Sequence, residues 1–94
     1  MHTAQATLKT AHGSKYLQQL CKHFGHKIET EFTETLGKIT FPFGPATLKA
    51  DDTSLWIEVT APDAEGIARA KDVVDRHLVR FAFREEFENM PWES

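Results

Sequence analysis

From Asp63 to about Phe87 the chain carries one long helical pattern, and that pattern closes off most folds open to a chain of this length. Ile67, Ala70, Val74, Leu78 and Phe81 recur at spacings of three and four, which gathers them on one buried helical face. A helix with a single apolar face has to be covered by a second layer. The rest of the chain must supply that layer, and its hydrophobic pattern shows how.

Thr3 to Thr10 alternates, with Ala4, Ala6 and Leu8 on one side and Gln5, Thr7 and Lys9 on the other. This is the mark of a half-buried strand. His12-Gly13-Ser14 breaks the pattern, and Ser14 is placed to cap a helix running through Tyr16 to about Phe24. Leu17, Leu20, Cys21 and Phe24 form the core face of that helix. Gly25 stands where a helix would end in a left-handed residue. Alternation returns over Lys27 to Thr33, and Glu34-Thr35-Leu36-Gly37 reads as a hairpin loop. Ile39, Phe41 and Phe43 mark a third strand, which is an edge or ends at Pro42. Ala46, Leu48 and Ala50 mark a fourth; Leu55, Ile57 and Val59 a fifth. Pro62 and Asp63 open the long helix, with Asp63 as its cap.

The expected fold is therefore α+β: an antiparallel sheet of about five strands with two helices packed on one face, in the order β-α-β-β-β-β-α. Leu8, Ile28, Phe32, Ile39, Phe41, Leu48, Ile57 and Val59 would meet the helices. Gln5, Thr7, Lys9, Glu29, Glu31, Lys38, Thr40, Lys49, Trp56 and Glu58 would face water. Residues 1–94 read as a single domain, with a tail, 88–94, that is flexible or docks through Met90 and Trp92 on the domain or on a partner.

Composition removes whole classes of function. A net charge of −3 argues against nucleic-acid binding, which draws on excess Lys and Arg. A single cysteine, Cys21, excludes an intramolecular disulfide. No apolar run spans a bilayer and MHTAQATLKT has no signal-peptide core, so a cytoplasmic protein is expected. No phosphate-cradling glycine loop and no strained nucleophile turn is visible, and no residue is assigned a catalytic role.

The chemistry that remains lies in histidines and arginines. Cys21-x-His23-x-x-His26 holds transition-metal ligand types. At about 100° per residue, however, Cys21 and His23 point about 200° apart on a helix and cannot share an ion. His23 and His26 are closer neighbours around the axis, and with His77 they make the candidate metal set, for an ion such as iron or zinc. His77, Arg80 and Arg84 stack along one edge of the long helix, a stripe that can bind a carboxylate or phosphate. The competing reading pairs the arginines with Asp75, Glu85, Glu86 or Glu88. The candidate ligand-binding residues are His23, His77, Arg80, Arg84 and His12.

Two stretches resemble a known family. They are His12-Gly13-Ser14-Lys15-Tyr16-Leu17-Gln18-Gln19-Leu20-Cys21-Lys22-His23-Phe24-Gly25-His26-Lys27 and Asp75-Arg76-His77-Leu78-Val79-Arg80-Phe81-Ala82-Phe83-Arg84-Glu85. Both are similar to the signatures of a bacterial family known as domain of unknown function 2218. Some members carry the name 2,4-dihydroxyhept-2-ene-1,7-dioic acid aldolase. That chemistry belongs to barrel enzymes of roughly 200 residues or more, too large for this chain. Domains of this kind also occur beside or fused to siderophore-interacting flavin reductases, so the resemblance implies a link to iron acquisition. Three functional expectations result. The favoured one is a non-enzymatic module binding a ferric-siderophore carboxylate or a metal ion. The second is an interaction module whose tail and Trp56 face dock a siderophore-interacting reductase or a second copy in a homodimer. The third is a small lyase or hydrolase with His23 or His77 as general base.

Overall fold

The computed structural model describes residues 2–81 and 90–93. Strand β1 (His2–Lys9) leads into helix α1 (Gly13–Phe24). Strands β2 (Thr30–Phe32), β3 (Leu36–Phe41), β4 (Gly44–Ala50) and β5 (Ser54–Ala61) follow, then helix α2 (Ala64–Phe81). The strands form one antiparallel sheet in the order β1-β5-β4-β3-β2. Consecutive hairpins build the run from β2 to β5, and β1 joins beyond β5, so β5 lies between β1 and β4. The class is α+β, with both helices on one face.

Alternation explains the layers. Leu55, Ile57, Val59 and Ala61 of β5 point to the helices, as do Ala46, Leu48 and Ala50 of β4, Ile39 and Phe41 of β3, and Ala4 and Ala6 of β1. From α1 come Tyr16, Leu17, Leu20 and Cys21; from α2 come Ile67, Ala70, Val74 and Leu78. The opposite face is polar. On it Trp56 donates Nε1–H to Gln5 Oε1 at 3.2 Å and lies under Lys49 Nζ, 5.2 Å from the ring centre. The indole is thus used within its own sheet. The Cys21 thiol is fully buried, and burial pushes its pKa up to about 11.

Asp63 caps α2 as expected: its Oδ1 accepts from the Gly66 N–H at 2.7 Å. Asp63→Ala should lower the unfolding free energy by about 1 kcal/mol in urea titration; no change would remove the cap from the account.

Several local expectations are corrected. Helix α1 begins at Gly13, one residue before Ser14, and His12 takes the cap position without a side-chain hydrogen bond. Ser14 Oγ instead accepts from Gln18 Nε2, 3.0 Å away and one turn on. Gly25 is right-handed, with φ −61° and ψ −15°. Close approach explains the glycine better, since a Cβ would lie 2.8 Å from Thr30 Oγ1 and 3.0 Å from the Cys21 carbonyl oxygen. The second strand is shorter than Lys27 to Thr33, because Lys27 and Ile28 both donate backbone N–H to Phe24 O at 3.0 Å and extend the turn. The third ends at Phe41, and Pro42-Phe43 is the turn into β4. The continuation of α2 toward Phe87, with the Phe81 side chain and Arg84, lies outside the described residues.

Residues 90–93 of the tail dock on the domain. Met90 is fully buried, and its N–H donates to Asp75 Oδ1 at 3.0 Å. Trp92 Nε1 donates to the same carboxylate, 3.1 Å from Oδ1 and 3.0 Å from Oδ2. Glu93 and Gln5 exchange both backbone hydrogen bonds, at 2.8 and 2.7 Å. Burial raises the pKa of Asp75, outweighing the donors from Met90 and Trp92 that pull it down.

Candidate functional site

The end of α1, the turn after it, the end of β3 and the middle of α2 converge on one cleft. It measures about 430 Å³ and is lined mainly by apolar atoms. Phe24 reaches it because it closes the core face of α1, where Gly25 and the turn carry the chain away from the helix. Phe41 is the last inward residue of β3, and Pro42 stops the strand beside it. Ile28 and Val73 complete the apolar wall.

The polar groups stand around that wall. His23 is one residue off the core face of α1, and His77 borders the core face of α2 one residue before buried Leu78. Helix packing brings their rings to 4.6 Å between centroids at 49°. His77 also lies 4.8 Å from Phe24, which meets Phe41 edge-on at 4.9 Å. Phe41 stacks on Phe43 at 5.0 Å. The two imidazoles thus begin a continuous row of rings leading into the core.

Hydrogen bonding orients one ring. His77 Nδ1 lies 2.7 Å from the Val73 carbonyl oxygen, one helical turn back. A carbonyl only accepts, so Nδ1 carries a proton, and in the neutral tautomer the lone pair is on Nε2. His23 is exposed as a residue, yet neighbouring rings screen its imidazole. This desolvation lowers its pKa, and the charges of Arg80, His26 and Lys27, with that of His77 when it is protonated, lower it further. In a chain of net charge −3, the described residues around His23 form a local gathering of basic groups.

The expected residues divide. His23 and His77 meet, and His26 lines the same cleft. Arg80 is exposed but close enough for its charge to act on His23. Asp75 is engaged by the tail, so it is not the partner expected for Arg80, and among the described residues Arg80 makes no ion pair. Arg84 lies outside the described residues. His12 is not part of this site: it opens α1, about 16 Å along the axis from His23. There its ring leans on Tyr16, 6.1 Å between centroids, and its N–H donates to Thr10 Oγ1 at 3.0 Å.

The metal set is also corrected. Among the described residues no three His, Cys, Asp or Glu side chains are grouped to hold an ion. His26 lies past the last residue of α1, on the turn, so helical spacing no longer stacks it on His23. Among the described residues the imidazole pair is short of the three or four protein ligands of a resident iron or zinc site.

Sequence reasoning missed Lys27 at the rim, and it read Phe24, Ile28 and Phe41 as core alone. The adjacency of Phe24 to His23 and of Ile28 to Lys27 was the available signal. It acquires meaning only once β3 is known to end at Phe41.

Among the described residues no helix is long and apolar enough to cross a membrane. A family model described as "Uncharacterized protein conserved in bacteria (DUF2218)" matches residues 5–93. A search of curated proteins returned no match. Among solved structures, the NMR structure of PA4090 from Pseudomonas aeruginosa is similar, with 32% identity and a TM-score of 0.82. The match covers 99% of this chain and 96% of that one.

Proposed function

The chain belongs to the bacterial family DUF2218, and from the cleft it builds we propose a binding module for a small anionic ligand with a flat apolar body. The observation that carries this reading is the contact of His23 with His77 beside an apolar wall of about 430 Å³. A cleft of this size and lining suits a small organic ligand, oriented by a few polar groups. Phe24, Phe41, Ile28 and Val73 would hold the apolar body. Lys27, His26 and Arg80 would attract the charge.

The finer part of the proposal is a ferric-siderophore chelate as cargo, in support of iron utilisation. Its support is the cationic rim, which complements carboxylate-bearing chelators, together with the proximity of related domains to siderophore-interacting reductases. A reductase would then be the partner that receives the ligand. The iron stays in its chelator, consistent with a site that offers imidazoles and cations in place of a closed ligand set.

Histidine-resolved NMR tests both parts, with 2-naphthoate and with gallium(III) citrate as a diamagnetic stand-in for a ferric chelate. The expected result is that His23 and His77 shift together and saturate with each probe. Response to naphthoate alone would remove the iron link. No response at either ring to either probe would overturn the binding module.

A further inference from the structure

We propose that the ligand of this cleft is a flat ring bearing an acidic hydroxyl, a phenol or its enol equivalent, which gives its proton to Nε2 of His77. The inference rests on the binding reading above and deepens it by naming the ligand class.

The argument starts from what His77 has left to offer. Its Nδ1–H is committed to the Val73 carbonyl at 2.7 Å, so the one polar atom of the neutral ring available to a ligand is Nε2, an acceptor. A bare carboxylate brings no proton for this acceptor and can use the cationic rim alone. A hydroxyl brings a proton. The second imidazole, 4.6 Å away, is pushed toward its neutral form by desolvation and by the surrounding cations. A lowered pKa makes His23 a poor proton acceptor, which leaves Nε2 of His77 as the acceptor of the pair.

The surroundings choose among hydroxyl compounds. Phe24, Phe41 and Pro42 offer flat apolar surfaces, which favour a ring over a flexible chain. Among the described residues the charged and titratable groups lining the cleft are His23, His26, Lys27 and His77, and the charge of Arg80 reaches His23. Lys27 and Arg80 stay cationic at neutral pH and stabilise an oxygen that has lost its proton. An aliphatic alcohol is too weak an acid to use this field, whereas a phenol or enol is not. On binding, the O–H bond breaks and its electron pair stays on the ligand oxygen. The proton bonds to Nε2, leaving an imidazolium held at Nδ1 by Val73. The product is a phenolate against a cationic rim, a charge-assisted hydrogen bond stronger than a neutral one.

4-Nitrophenol is the probe, because its absorbance separates phenol from phenolate. Nitrobenzene matches its ring without the hydroxyl, and 4-nitrobenzoate carries a charge without the acidic hydroxyl. The wild-type chain should bind 4-nitrophenol at least about tenfold more tightly than nitrobenzene. Bound nitrophenol should ionise about one pH unit below the free compound, a further tenfold. His77→Gln should abolish that shift. Equal binding of nitrophenol and nitrobenzene, or bound nitrophenol without a shift, would overturn this inference. If 4-nitrobenzoate then still moved His23 and His77, the binding module would survive. Binding of none of the three would overturn both.

Discussion

Gly44→Ala is expected to destabilise the chain by about 4 kcal/mol, close to the whole stability of a small domain. Two separate penalties combine. Gly44 has φ +145°, a conformation that residues with a Cβ rarely adopt. A Cβ added there would also overlap the Thr60 carbonyl oxygen, with Ala61 Cα only 3.2 Å away. Thr60 belongs to β5, which is held between β1 and β4 and cannot retreat without breaking a ladder. The turn Pro42-Phe43 that Gly44 closes also ends the wall of the cleft. Urea unfolding followed by circular dichroism checks the value, and a loss below 1 kcal/mol would show that the turn relaxes freely.

The second large effect is at the other end of the chain. Met90→Ala should cost about 3 kcal/mol, the loss typical of a fully buried large side chain. Met90 contacts the core and also fixes the tail, through its N–H to Asp75. Asp75→Ala would leave that N–H and the Trp92 indole N–H without their acceptor. Because both changes undock one segment, the double variant should lose less than the sum of the single losses. A midpoint for Met90→Ala indistinguishable from wild type in guanidinium titration would mean that the tail contributes nothing to stability.

These two residues also mark what the sequence could and could not disclose. The strands announced themselves, because alternation is imposed by the sheet itself and every inward residue of β5 is apolar. Ile67, Ala70, Val74 and Leu78 announced α2 for the same kind of reason. Met90-Pro91-Trp92 has no period to detect, since an irregular segment is held by particular contacts. Its anchor, Asp75, looks like one more helix carboxylate until the tail is placed against it. Gly25 misled because glycine signals either a left-handed turn or a close approach, and only Thr30 and Cys21 show which applies. At the cleft, His23 and His77 were visible as candidates. Their meeting depends on how α1 and α2 cross the sheet, which no local pattern encodes. His12 failed as a member because one helix separates it from the cleft, however close the histidines look in a short motif.

The backbone pairing of Gln5 with Glu93 has a consequence for how sheets of this kind meet one another. A strand at the rim of a sheet is a template for any foreign strand, and stacking without limit requires two such rims on every molecule. Here the outward hydrogen bonds of Gln5, midway along β1, are already satisfied from within the chain. The opposite rim is β2, only three residues long and carrying exposed Glu31. A molecule with one rim obstructed can be joined once and then terminates the row. Glu93 thus covers the middle of β1, and without it the outward N–H and carbonyl of Gln5 would be open to a foreign strand.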